Sequence, residues 1–462
     1  MFLKKIIVVD GTEKKPEDKN SKDDNLAASS PKSESKVSFK NIVKSLGPGI
    51  VTGAADDDPS GIATYSQAGA GFGFGMLWMV VFQYPLMTAV QEMCARIGLL
   101  TGDGLAAVMK KKYSNKVVLP LASLLLIANT INIGADIGAM GAAIKLLIPQ
   151  MPFIVTTLIF TAIILLVEIF VPYRKYVKIL KYLTISLFVY IVTAFIVGGN
   201  AQNLALATII PHFEFNSQFA MMFVAMFGTT ISPYLFFWQA SEEAEEEVKQ
   251  KKIPEINGGK PEVSTKDVKL MKADVAIGMF FSQLIMWSII VTTAGSLHSQ
   301  DIAEIQTAEQ VAKSLEPAVK SFPHSGEIAK LIFSLGIIGT GLLAVPVLAG
   351  SSAYALSDAF GWKQGLFKKF KRAKAFYLVI AVSTIIGLWI NFTNIDPIKA
   401  LVYTAVINGV IAVPILFVIM RIANDKQILG KRVNNRLSNM LGWITVAIMS
   451  ASVVIMFSTF YT

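Results

Sequence analysis

An all-α polytopic membrane protein is the fold class that three observations on this sequence predict. Hydrophobic residues fill 53% of the 462 positions, charged residues only 16%, and mean hydropathy is +0.55. Apolar runs recur along the chain at the length of about 20 residues that a helix needs to cross a bilayer. Two of those runs, five spans apart, are broken near their centres by a proline beside small or polar residues.

The chain opens on a polar tail, residues 1–40, rich in Lys, Asp, Ser and Glu. Its apolar start, Ile6 to Val9, is too short for a signal-peptide core, and the rest reads as disordered cytoplasmic tail. Eleven spans follow, at 42–70, 77–99, 117–147, 153–171, 179–197, 219–240, 275–297, 328–356, 376–391, 397–422 and 441–460. Residues 41–431 hold the ten spans of a repeated core, and 432–462 an additional helix outside the repeat. An odd number of spans per repeat inverts the second copy, so spans one to five and six to ten would face each other as a 5+5 inverted repeat.

The break in span one is the run Ala54-Ala55-Asp56-Asp57-Asp58-Pro59-Ser60-Gly61. An ionised group facing lipid at the bilayer centre costs at least about 2.5–3.5 kcal/mol, so three consecutive carboxylates must look inward. Pro59 removes a backbone donor, and Gly53 and Gly61 flank it. A transmembrane helix interrupted at mid-membrane turns bared carbonyls and carboxylates toward a cation. Two short segments joined by a polar loop are the alternative, but each half alone is too short to span. Span six carries the matching interruption at Gly228-Thr229-Thr230-Ile231-Ser232-Pro233. Corresponding interruptions in two halves point to a substrate site at the midplane and to transport by alternating access.

Lysine and arginine set the orientation. They crowd the loops after spans two, four, eight and ten, from Lys110 through Lys181 and Lys363 to Arg436. Residues 71–76, 149–152 and 391–396 contain none, and the long loop 298–330 on the same side is mildly acidic. The amino terminus is thus expected in the cytoplasm and the carboxyl terminus outside, in the plasma (inner) membrane. The net charge of +10 is explained by these loops and is no footprint for nucleic acid. A single cysteine, Cys94, and three histidines in loops leave no thiolate cluster and no metallohydrolase motif. An enzyme is not expected, nor a resident cofactor or an obligatory protein partner; the expected partners are a cation and the bilayer.

The run Leu46-Gly47-Pro48-Gly49, followed by Asp58-Pro59-Ser60-Gly61, resembles the first helix of the NRAMP divalent-metal transporters. Trp78, the sequence Ala95-Arg96-Ile97-Gly98 and the stretch 424–430 resemble the same family, so that the likeness covers roughly 45–431. It implies the 5+5 fold and metal uptake by alternating access. Asp58 stands at the place of the family's metal-binding Asp, but Gly61 stands where a ligand Asn would be. In span six the family pattern Ala-x-x-Met-Pro-His-Asn is met by Thr229-Thr230-Ile231-Ser232-Pro233-Tyr234-Leu235. Thr229 thus replaces the Ala whose carbonyl binds metal, Ser232 the thioether ligand and Tyr234 the His tied to proton movement. Ala405 falls where a span-ten Gln would be. This set is similar to the NRAMP-related magnesium transporters.

The chemistry points the same way. Thioether sulfur favours softer metals, whereas carboxylate, carbonyl, hydroxyl and water suit Mg2+ and Mn2+. Losing the Asn and Met side chains is expected to enlarge the cavity for a partly hydrated ion. The expectation is therefore a transporter of Mg2+, and also Mn2+, without proton coupling, with Asp58, Asp57, Gly61, Thr229 and Ser232 at the metal. Asp56, Tyr234 and Asp136 are expected along the pathway. Asp56 and Asp57 read equally as ligands or as a helix cap or a partner of a base, and Asp136 equally as a packing residue. Glu168 reads as solvated or paired, and Glu242 to Glu247 as a solvated charge run. The alternatives are a proton-coupled Mn2+ or Fe2+ carrier of the NRAMP kind, a cation-coupled amino-acid transporter of the same fold, and a channel or non-transporting sensor. Asp56 to Asp58 would repel an amino-acid carboxylate.

Overall fold

A computed structural model describes residues 47–171, 184–393 and 395–459, and among these every regular element is a helix. The expected tail, the first residues of span one and residues 179–183 of span five lie outside the described residues. The first repeat begins with α1 (Pro48–Asp56) and α2 (Pro59–Phe72), the two halves of the interrupted span, each opened by its proline. It continues with α3 (Trp78–Thr101), the short α4 (Leu105–Lys112), α5 (Asn115–Leu147), α6 (Phe153–Phe170) and α7 (Phe188–Val197), which bends by 119° into α8 (Ala201–Ile209). The second repeat is α9 (Ser217–Thr230) and α10 (Pro233–Lys249), then α11 (Thr265–Ser296), α12 (Ser325–Phe360), α13 (Lys374–Ile390) and α14 (Pro397–Ala423); α15 (Arg436–Thr459) follows it.

The described part of each expected span lies in a helix or a broken pair, but length and composition alone select fewer than eleven. Seven described helices are long and apolar enough to cross a membrane, or up to nine if each sharply bent pair counts as one span. Of the two spans that nine leaves out, one is α13, whose 17 residues fall just below the usual crossing length, and the other arises because α2 of span one and α3 of span two count together as one bent pair.

Contacts between helices follow the inverted repeat. The third spans of the two halves, α5 and α12, pack on each other, while α11 packs on α1 and α2 as α3 packs on α10. Small residues let these backbones close up. A Cβ on Gly278 of α11 would lie 2.1 Å from the Gly49 carbonyl oxygen of α1, and one on Gly53 would lie 2.3 Å from the Gly278 oxygen. At the other break, a Cβ on Gly228 would sit 1.9 Å from the Ala405 oxygen of α14. The carboxylate of Asp274 on α11 completes the α1 contact by accepting from the amides of Gly47 and Gly49, which have no partner within the helix, at 2.9 and 2.7 Å.

The basic loops gather at one end of the bundle. Lys112 bonds Asp425 and the Arg421 carbonyl, Lys368 bonds Glu255, and Arg432 donates to the Val263 carbonyl. The Lys368 ammonium, donating at 2.7 Å, holds the Glu255 carboxyl below its ordinary range, and Lys112 does the same for Asp425. At the opposite end Trp78 donates to the His212 carbonyl and Gln67 to the Ala303 carbonyl.

The acidic run at the end of α10 is not solvated. Glu243, Glu245 and Glu247 are buried, each with a hydrogen-bond donor, local for Glu243 and Glu247 and distant in sequence for Glu245. Gln239 donates to Glu243 at 3.0 Å, the Leu366 amide to Glu245 at 2.7 Å together with the Tyr354 hydroxyl, and Lys252 to Glu247 at 3.1 Å. Glu168 is likewise buried, with no hydrogen-bond partner among the described residues.

Backbone-level contact between α1 and α11 makes the glycines there intolerant of any side chain. Gly278→Val should lose about 1–3 kcal/mol of stability, the usual cost of overpacking, and melt at lower temperature. Gly71→Ala, whose added carbon would meet its nearest atoms at an ordinary 3.4 Å, should melt like the parent. Equal melting of the two variants by scanning fluorimetry would contradict this packing.

Candidate metal centre

Where α1 stops and α2 starts, Asp58 turns toward Asn132 and Tyr234 while Asp56 turns toward Ser282, and this divergence defines the site. Asp58 is the N-cap of α2, with extended backbone (φ −68°, ψ 173°) before Pro59. Its Oδ1 accepts from the Gly61 amide at 2.7 Å and from the Ser60 hydroxyl at 2.6 Å. An N-cap acceptor satisfies donors that the helix start leaves bare. Among the described residues its Oδ2 has two long contacts, from Asn132 Nδ2 at 3.3 Å and the Tyr234 hydroxyl at 3.4 Å. That oxygen is the one free to take a cation.

Asp58, and neither Asp56 nor Asp57, therefore caps the second half-helix. Asp56 instead turns to α11, where the Ser282 hydroxyl donates to its Oδ2. Asp57 closes α1 as its C-cap and is buried. The Oδ1 atoms of Asp56 and Asp57 have no hydrogen-bond partner among the described residues. No three His, Cys, Asp or Glu side chains among the described residues gather as metal ligands would. A cation at this break would thus meet one carboxylate, with carbonyl, hydroxyl and water oxygens completing its shell.

The second break supplies such oxygens. α9 ends at Thr230 and α10 begins at Pro233, so the last carbonyls of α9 lack helical partners. Ser232 occupies the N-cap position of α10 and donates its hydroxyl to the Gly228 and Thr229 carbonyls. Tyr234, one residue into α10, reaches across to α1 and donates to the Ala55 carbonyl at 3.0 Å. The two breaks are thus joined by a phenol between the Ala55 carbonyl and Asp58. Thr229 lies beside Gly61: a Cβ on Gly61 would fall 3.3 Å from Thr229 Oγ1, 3.3 Å from the Tyr65 ring and 3.0 Å from the Asp56 oxygen. The enlarged cavity expected from Gly61 is therefore not found at that point, because Tyr65, Thr229 and the α1 backbone take up the space.

Asp136 on α5 is fully buried and tied to Asp58 through Asn132, whose Nδ2 donates to Asp136 Oδ2 at 3.1 Å. Asn408 on α14 extends the chain by donating to Asn132 Oδ1 at 3.4 Å. The structure thus brings Asp58, Gly61, Thr229, Ser232, Tyr234 and Asp136 together and turns Asp56 aside. Sequence reasoning missed Asn132, Asn408, Tyr65 and Ser282. A carboxamide inside an apolar span is itself a signal, since polar groups at that depth need partners, and Asn132 stands four residues before Asp136 on one helix face.

Two half-helices meeting across a polar centre, inside inverted repeats of apolar helices, define a membrane transporter of the inverted-repeat, broken-helix class. The chain belongs to the Nramp family: the family's pattern, described as natural resistance-associated macrophage protein-like, matches residues 49–459. It is a family of transporters and not of enzymes. A divalent metal cation transporter, MntH, of Klebsiella pneumoniae (strain 342) is 24% identical over 423 residues, which cover 90% of this chain and 94% of that protein. The crystal structure of the Eremococcus coleocola manganese transporter bound to an aromatic bis-isothiourea compound superposes with a TM-score of 0.70 at 17% identity, over 93% of this chain and 88% of that one. A nucleobase-cation-symport-1 family transporter in a closed conformation shares the fold more distantly, with a TM-score of 0.54 at 11% identity and 90% and 93% coverage.

The cap and the charge of Asp58 can be separated. Asn is as good an N-cap as Asp, whereas Ala leaves the Gly61 amide unpartnered. Asp58→Ala should therefore be less stable than Asp58→Asn by about 0.5–2 kcal/mol, read as the difference in melting temperature between the two variants. Identical stabilities would show that Asp58 does not hold the start of α2.

Proposed function

We propose that this protein carries divalent metal cations across the membrane by alternating access, with Mg2+ as a main substrate, Mn2+ as another, and no obligatory proton coupling. What carries the reading is the donor set at the two breaks: one cation-facing carboxylate oxygen, Asp58 Oδ2, among carbonyls and hydroxyls, with Ser232 and Tyr234 standing where the family pattern has a Met and a His. Such a site favours hard ions, and Mg2+ keeps several waters when one or two carboxylates hold it. The relatives support the coarser part of the proposal, since the Klebsiella protein is named a divalent metal cation transporter and the Eremococcus protein a manganese transporter.

The mechanism follows from the geometry. A cation at Asp58 Oδ2 would displace the long contacts of Asn132 and Tyr234 and draw in the Ala55 carbonyl and the bared carbonyls of α9. Both half-helix pairs would then share one ion, and rocking one set of helices against the other would expose it to either side in turn. The Tyr234 hydroxyl serves as a hydrogen-bond donor, in contrast to an imidazole, which exchanges a proton near neutral pH. On the distribution of Lys and Arg, the amino terminus faces the cytoplasm.

Liposomes reconstituted with the full chain test this directly. Asp58→Asn, which keeps the cap, should abolish Mg2+ and Mn2+ uptake. A large excess of Mg2+ should suppress Mn2+ uptake by the parent, and a trapped pH dye should report no acidification in step with metal entry. Ser232→Met, which adds a thioether at the second break, should weaken the Mg2+ competition and favour Mn2+ or Cd2+. Mn2+ uptake indifferent to Mg2+ would overturn the hard-ion reading, and stoichiometric acidification would overturn the uncoupled one.

A further inference from the structure

On the lipid-facing side of the broken helix α9 lies a groove of about 880 Å³, walled by α3, α9, α15 and the segment 211–216. Its walls are aromatic and aliphatic, with Phe82 on α3, Phe223 on α9, and Ile444 and Ile455 on α15. Phe82, Ile444 and Ile455 are exposed, so the groove opens to whatever surrounds the bundle. It follows α15 from Leu441 to Thr459, a helical rise of about 27 Å, close to the roughly 30 Å hydrocarbon thickness of a bilayer. A chain of methylenes lying along α15 fits that length.

Three features select the kind of lipid. Gln83 lines the groove, is fully buried, and its Nε2 has no hydrogen-bond partner among the described residues, while its Oε1 accepts from the Thr230 hydroxyl at 3.4 Å. A buried amide donor without an acceptor is costly, so the occupant should bring a carbonyl. One end of the groove carries Trp78, tilted against Phe213 with ring centroids 5.0 Å apart and bonded to the His212 carbonyl, the position of an interfacial aromatic. Gln83 stands five residues further along α3, about 7.5 Å deeper, where the ester carbonyls of a glycerolipid lie below its headgroup. The charged side chain lining the same end is Glu214, held by Asn216 at 3.0 Å with the His212 ring 3.8 Å away, and no Lys or Arg among the described residues lines the groove. An anionic headgroup would be repelled there, and an ammonium headgroup attracted.

We propose that this groove is a specific seat for an ester-linked, ammonium-bearing glycerophospholipid of the phosphatidylethanolamine type. Its acyl chain lies along α15, its ester carbonyl accepts from Gln83, and its ammonium meets Glu214. Because Gln83 also accepts from Thr230, the last residue of α9, the lipid is seated one hydrogen bond from the second break, whichever ion the protein carries.

Trp78 in the groove wall supplies the probe. The full-length protein in detergent is titrated with phosphatidylethanolamine carrying a dibrominated acyl chain, a quencher of nearby tryptophan, and the signal of Trp78 is taken as the difference from Trp78→Phe. The expected result is saturable quenching with one lipid per chain. Binding should weaken about five-fold for the ether-linked analogue of the same lipid and for Gln83→Leu, the worth of one neutral hydrogen bond. Glu214→Gln should erase the preference over brominated phosphatidylglycerol. Quenching that rises without saturation, or that ignores both headgroup and ester, would show annular lipid only and overturn the proposal. The ether and headgroup comparisons use the unaltered protein, so misfolding of a variant cannot decide the matter.

Discussion

At the depth of the hydrocarbon there is no water to satisfy a carbonyl or a carboxylate, so every interruption of a helix must be answered inside the protein. Two interruptions at mid-membrane therefore cannot be independent. The Tyr234 hydroxyl of the second break meets the Ala55 carbonyl of the first, and Ser232 turns its own hydroxyl onto the α9 carbonyls. Asp58 answers the start of α2 with one oxygen and leaves the other looking across the gap. The site is what remains after the breaks have satisfied most of each other, and its chemistry is oxygen chemistry because backbone, hydroxyl and carboxylate are what the breaks contain.

The surrounding bundle serves that constraint. Breaks can face one another only if the helices bearing them approach closely, and glycine makes that possible where α1 meets α11 and α9 meets α14. The polar groups that follow the breaks away from the centre are paired as carefully. Thr52 donates to Gln239 at 2.5 Å, and Gln239 donates to Glu243, one helical turn further along α10. Asp274 then holds the amino end of α1. These contacts form a polar file along one face of α10, running from the midplane to the end where the basic loops gather.

Much of this was legible in the sequence, for identifiable physical reasons. Pro59 and Pro233 inside apolar spans announce breaks because proline removes a donor that lipid cannot replace. The inverted repeat follows from their spacing, and the matches in the structure bear out the fold. The division of labour among Asp56, Asp57 and Asp58 was less legible, since adjacent positions on a bent backbone point apart. Still, an acid immediately before a helix-opening proline is a cap signature, which marks Asp58. The acidic run of α10 misled because composition alone describes a solvated face. Its burial depends on Tyr354 and Leu366, more than a hundred residues away, and on Lys252 from the following loop. The space beside Gly61 misled for a similar reason: removing a side chain leaves a cavity only where neighbours such as Tyr65 fail to fill it.

The central claim is that a cation sits between the two breaks, held by Asp58 and by backbone and hydroxyl oxygens. Anomalous diffraction at the manganese absorption edge, from crystals of the full chain soaked in Mn2+, tests it most directly. The account predicts one dominant peak at bonding distance from Asp58 Oδ2, with carbonyl oxygens of α1 or α9 in its shell. A dominant peak among the glutamates of α10, with none at Asp58, would contradict it.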